Sequence, residues 1–158
     1  MTDRSVIHDT FTIEHTYDAT PSKVFAAFAS RDAKKHWFGG GDEHEPNSTL
    51  ELDFRVGGRE TTGGGPPAGP VYKYEAIYQD IIADRRIVYT YNMWMDEALI
   101  SVSVATVQLE PSGSSTKLIY FEHGAYLDGL DKPADRAHGT REMLVKSLPG
   151  YLKGKVAV

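Results

Sequence analysis

"TFTIEHTYDATPSKVFAAFAS", residues 10–30, changes its hydrophobic period once. Over residues 10–18, Phe11, Ile13, His15 and Tyr17 point one way and Thr12, Glu14 and Thr16 the other. That alternation is the period of a half-buried strand. At Thr20 the period becomes helical. Thr20 is a favoured N-cap, Pro21 suits the first helical position, and Val24, Phe25 and Phe28 form one stripe. A second short helix is expected from a Ser30 cap through "RDAKKHW", ended by Gly39-Gly40-Gly41.

Beyond these helices the chain returns to period 2. "TLELDFRV" (49–56) sets Leu50, Leu52, Phe54 and Val56 against Glu51, Asp53 and Arg55. After Gly57-Gly58 a short strand over residues 59–62 runs into "GGGPPAGP", read as a hairpin loop incompatible with a strand. "VYKYEAIYQDII" and "RRIVYTYNMWM" are aromatic-rich strands around a turn, and "LISVSVATVQLE" and "TKLIYFEH" flank "PSGSS". Short connections predict an antiparallel sheet of about six to seven strands. Residues 132–153, "KPADRAHGTREMLVKSLPGYLK", return to helical spacing. Ala137, Thr140, Leu144, Leu148, Tyr151 and Leu152 form a stripe, with Arg136, Glu142, Lys146 and Lys153 mostly on another face.

The chain has 158 residues, 41% hydrophobic and 25% charged, which suits one soluble globular domain spanning 1–158. A net charge of −5 and the absence of a concentrated basic face exclude a nucleic-acid partner; Lys34-Lys35-His36 is too short to serve. With no cysteine there is no disulfide, thiolate site or cysteine nucleophile. No apolar run is long enough for membrane insertion and the first residues carry no signal-peptide core, so a cytoplasmic location is expected. Asn47-Ser48-Thr49 is then a chance sequon.

The order of a strand, two short helices, further antiparallel strands and a long closing helix resembles the START-like, or SRPBCC, helix-grip fold. In that α+β fold a curved antiparallel sheet wraps around a long C-terminal helix. "ATPSKVFAAF" with "HW" at Trp37, "ELDFRVGG" (51–58), "AIYQDIIADRRIVYTY" (76–91) and "ATVQLEPSGSSTKL" (105–118) are similar to the AHSA-type branch. That branch is named for the activator of the heat-shock chaperone ATPase, and the resemblance spans residues 11–152. Two departures bear on pocket shape. Thr140 follows Gly139 where the family usually has tryptophan, and Pro149 removes an N–H and would clash with the Val145 carbonyl in a regular helix. Either the helix kinks there or Tyr151 and Leu152 form a separate turn. The resemblance makes "DFRVGG" a strand ending in a corner, with Asp53 and Arg55 as a structural ion pair.

A helix gripped by a sheet implies a cavity between them, suited to a small hydrophobic or amphipathic molecule. The expected pocket residues are His15, Tyr17, Trp37, Phe38, Phe54, Tyr89, Tyr91, Met93, Met143 and Leu144. Ile13, Leu52, Ile87, Val107, Leu109 and Leu148 share those faces, and most residues there are expected to fill core. His15 is the one weak candidate for catalysis, because it shares an apolar face. His123 is a weaker one, and His44 lies in an acidic loop. No HExxH or comparable spacing, G-x-S-x-G elbow or phosphate-binding loop is present, so no metal, cofactor or serine triad is expected.

Three readings remain open. The first is ligand binding in the cavity. The second is an enzyme of the cyclase, dehydratase or hydrolase kind, using His15 with Tyr89 or Tyr91. The third is a chaperone-interacting module, less supported because only about ten residues precede the first strand and the eukaryotic activator carries a further N-terminal domain. Apolar runs at 118–121 and 87–89 suggest a homodimer. The features favour binding over catalysis.

Overall fold

The opening alternation forms strand β1, Val6–Tyr17, with Ile13 and Tyr17 buried at 2% exposure each. The structure is a computed structural model describing residues 4–38 and 49–157. Gly39-Gly40-Gly41, His44 and Asn47 lie outside the described residues. Helix α1 (Pro21–Ala29) begins where the sequence places it, the Thr20 hydroxyl accepting from the Lys23 N–H at 3.3 Å. Its buried face is Val24, Ala27 and Phe28, while Phe25 is half-buried against Phe54. Ser30 closes α1 and caps α2 (Arg31–Trp37), accepting from the Ala33 N–H at 3.2 Å.

Six further strands follow: β2 (Thr49–Leu52), β3 (Arg59–Gly64), β4 (Tyr72–Ile82), β5 (Arg86–Met95), β6 (Ala98–Ser112) and β7 (Ser115–Leu127). They make one seven-stranded sheet in the order β1-β7-β6-β5-β4-β3-β2, with every neighbour antiparallel. The chain closes with α3 (Pro133–Glu142), a π-helical turn (Met143–Ser147) and α4 (Leu148–Ala157). This is the α+β helix-grip architecture. The core lies between sheet and helices, where Ile13, Ile87, Val107, Leu109 and Leu118 meet Val24, Phe28, Leu144 and Leu148. Full burial of such side chains contributes about 1.5–3 kcal/mol each. The other sheet face leaves Val102, Val104 and Phe121 exposed.

Three details correct the sequence reading. Strand β2 stops at Leu52, and residues 53–58 are a corner rather than strand. Gly57 has φ +82°, and a Cβ on Gly58 would sit 2.1 Å from the Asp53 carbonyl oxygen. Both positions therefore require glycine. Phe54 still turns inward, but Val56 is 57% exposed. The exposed Asp53–Arg55 pair forms at 2.9 Å. Next, Gly63 and Gly64 belong to β3 and pair with Lys73 and Tyr72, so the loop begins later than its composition suggests.

The third correction concerns the closing helix. In the π turn the Leu148 N–H reaches back to the Met143 carbonyl, one residue further than in an α-helix. Pro149 follows directly, and its missing N–H and bulky ring meet a ladder already re-registered. The helix continues through Tyr151 and Leu152 to Ala157. Widening replaces the expected break.

Candidate functional site

A cavity of about 390 Å³ lies between the sheet and the closing helix, toward the β3–β5 half of the sheet. Strand parity supplies one wall. Tyr89, Tyr91 and Met93 alternate along β5 and all reach the cavity, as do Tyr72 and Tyr74 on β4 and Tyr120 on β7. Lys34, Trp37 and Phe38 enter from α2 and its end; Arg136, Thr140, Met143 and Leu144 enter from the closing helix. The Trp37 indole donates to the Ala27 carbonyl at 2.9 Å and stands edge-on to Phe28. Those contacts hold the ring in place.

Of the expected pocket residues, Trp37, Phe38, Tyr89, Tyr91, Met93, Met143 and Leu144 line this cavity. His15, Tyr17 and Phe54 do not. The Tyr17 hydroxyl donates to the Leu144 carbonyl at 2.7 Å, in the π turn, and His15 packs edge-on against the Tyr17 ring. At that end α1 and the closing helix fill the space above β1 and β7. Phe54 is held between Phe25 and Tyr78. Ile13, Ile87, Val107, Leu109 and Leu148 are core. His123 lies mid-strand, its Nδ1 2.9 Å from the Thr10 hydroxyl and its ring stacked on His8. Among the described residues no group of three His, Asp or Glu side chains could hold a metal ion.

The polar framework behind the cavity wall is what the sequence reading missed. Lys34, which the sequence reading places only in a short basic cluster, is 4% exposed, with Nζ 2.6 Å from Glu60 Oε1. The Tyr78 hydroxyl donates to the same oxygen, and Glu60 Oε2 has no partner among the described residues. Burial is the largest cause holding the Tyr78 phenol far above its ordinary range, followed by the Glu60 charge. Lys34 Nζ also sits 4.4 Å from the Phe38 ring centroid, within cation–π range.

A second cluster centres on Glu122, itself fully buried. Tyr120 donates to Oε1 at 2.5 Å and Tyr91 to Oε2 at 2.8 Å. Arg136, assigned by the sequence reading to another face of the helix, points inward with a side chain only 10% exposed. It donates to the Tyr91 hydroxyl (3.0 Å), Ser101 (2.8 Å) and Asp131 (2.7 Å), and lies 4.0 Å from Glu122. Burial raises Glu122 above the ordinary carboxylate value, against the opposing hydrogen bonds from Tyr120 and Tyr91 and the charge of Arg136. Burial pulls Arg136 down, but Tyr91, Tyr126, Asp131 and Glu122 outweigh it and leave the guanidinium raised.

The second cluster has a legible periodic signal. Residues 136, 140, 144 and 148 repeat every fourth position, so Arg136 belongs on the stripe with Thr140, Leu144 and Leu148. Glu122 shares strand parity with Leu118 and Tyr120. Thr140 lines the cavity and its hydroxyl donates to the Arg136 carbonyl at 2.9 Å. A tryptophan at that position would project toward the space the cavity occupies.

An antiparallel sheet closed over a long helix, with a cavity between them, defines a START-like helix-grip protein. The family model described as Activator of Hsp90 ATPase homolog 1-like protein matches residues 18–153, and the chain belongs to that family, within the AHSA-type branch. A solved Rhizobium loti protein is 42% identical with a TM-score of 0.86, covering 93% of this chain and 99% of its own. An uncharacterized Rhizobium leguminosarum protein is 34% identical with a TM-score of 0.89, covering 96% and 99%. A Chromobacterium violaceum protein, 23% identical with a TM-score of 0.74 over 90% and 96% of the two chains, shares the fold. No curated protein matches the chain. Among the described residues no helix is long and apolar enough to cross a membrane.

Proposed function

We propose that the protein binds a small hydrophobic or amphipathic molecule in the cavity between the sheet and the closing helix. The supporting observation is an aromatic-walled space of about 390 Å³ whose wall polar groups are held by internal hydrogen bonds. Its size and mixture of rings with a few fixed polar groups are those of a small-molecule site. Binding is favoured over catalysis because the histidine considered as an acid or base, His15, does not line the cavity. The buried carboxylates Glu60 and Glu122 stand behind the wall, engaged by lysine, tyrosine and arginine.

Native mass spectrometry of the purified protein, repeated after denaturation, tests the reading. The expected result is a small molecule that co-purifies and leaves on unfolding, or its uptake by stripped protein in a thermal-shift screen of apolar metabolites. A stripped, folded protein that takes up none of them sinks the proposal.

A further inference from the structure

The charge arrangement around the cavity narrows the ligand, an inference that rests on reading the cavity as a ligand site. Among the described residues no carboxylate lines the cavity, and the two charged groups that do, Lys34 and Arg136, are cations backed by buried or half-buried carboxylates. Each cation is already neutralised from behind. An ionic ligand would therefore bring a charge against a mainly apolar lining with no free counter-charge among the described residues to meet it.

The two cations differ in how many groups hold them. Arg136 places three of its five guanidinium hydrogens on Tyr91, Ser101 and Asp131 and lies 4.0 Å from Glu122. Lys34 carries three N–H donors, and among the described residues its one hydrogen-bond acceptor is Glu60 Oε1. The remaining donors are held at a wall formed with Phe38 and Trp37, whose rings face the ammonium at 4.4 and 5.9 Å. The positive end of the Lys34–Glu60 dipole is thus the end the cavity presents. An uncharged oxygen acceptor gains from that dipole and loses little water on entry. A carboxylate gains from it too, but must shed a much stronger hydration shell and then sit near Glu60.

We propose that the cavity takes an uncharged molecule with an aromatic or aliphatic body and one hydrogen-bond acceptor, such as a carbonyl oxygen, directed at Lys34.

Equilibrium dialysis with three probes sharing one two-ring body tests this: 2-acetylnaphthalene, 2-naphthoate and 2-isopropylnaphthalene. The ketone is expected to bind at least about tenfold more tightly than either of the others. The Lys34→Met, Glu60→Gln double variant, which removes the pair together, is expected to keep the hydrocarbon and lose the preference for the ketone. If 2-naphthoate matches or exceeds the ketone, the cavity is an anion site and the inference fails while ligand binding stands. If the hydrocarbon matches the ketone, Lys34 directs nothing and the inference fails in the same way. Retention of none of the three by folded wild-type protein overturns the cavity reading itself. The wild-type comparison alone decides the question should the double variant not fold.

Discussion

Two buried carboxylates stand behind opposite parts of the cavity wall, and they are held differently. Glu60 receives Lys34 and Tyr78 on a single oxygen, leaving the other without a partner among the described residues. Glu122 has both oxygens engaged, by Tyr120 and Tyr91, with Arg136 as a more distant third partner shared with half-buried Asp131. The first is an ion pair with one cation; the second is a network in which hydroxyl donors carry most of the load. A carboxylate that depends on one cation should be brittle, and one that depends on several donors should degrade gradually.

The largest test of that contrast is the loss of each cation in turn. Lys34→Met leaves Glu60 buried beside Tyr78 alone and should lower unfolding free energy by about 3–5 kcal/mol. Arg136→Met leaves Glu122 with both tyrosine donors and should cost less, about 1–3 kcal/mol. Urea denaturation of the two variants measures both, and the reverse order would break the comparison.

A smaller effect concerns pH. Burial holds Glu122 above its ordinary value of 4.5, so the folded state keeps that proton to higher pH than the unfolded chain does. The unfolded state then binds fewer protons over the interval, and stability falls as pH rises from 4.5 toward the folded value. Glu122→Gln should remove that slope from a series of urea midpoints taken at rising pH. A variant profile as steep as the parent's would assign the slope to another group. The smallest effect belongs to the solvent-facing Asp53–Arg55 pair: Asp53→Ala should change stability by no more than about 1 kcal/mol, read by thermal denaturation. A larger loss would make the 53–58 corner dependent on that pair rather than on its two glycines.

The periodic parts of the molecule were readable in advance because period reports which face is buried. The two capped helices, the strand pairs around "ADRR" and "PSGSS" and the closing helix stand where alternation and capping residues put them, and β1 follows its alternation but starts at Val6, ahead of the expected residue 10. Much of the cavity wall was readable for the same reason, since Tyr89, Tyr91 and Met93 share one strand face. Lys34 figures in the sequence reading only within a short basic cluster, Arg136 is set there on another face of the closing helix, and Glu122 is not singled out. Charged side chains are rarely buried unless paired, and a pair between residues far apart in sequence has no local signature. Lys34 and Glu60 are 26 residues apart, and Tyr91 and Glu122 are 31.

By itself, then, the sequence determined the order and type of the elements, the antiparallel sheet closed by a long helix, and which faces turn inward. Hydrophobic period and capping are local properties, and they act wherever the residues occur. Only the tertiary structure decided where empty space remains and what lines it. His15 and Tyr17 share an inward face with Ile13, yet that end of the sheet is filled by helix packing and by a hydrogen bond to the π turn. The cavity survives at the other end, where Thr140 is small and the lining is mostly rings, with Lys34 and Arg136 reaching it from their buried partners. A void is the difference between the volumes that several elements enclose and fill together, so no single stretch of sequence specifies it.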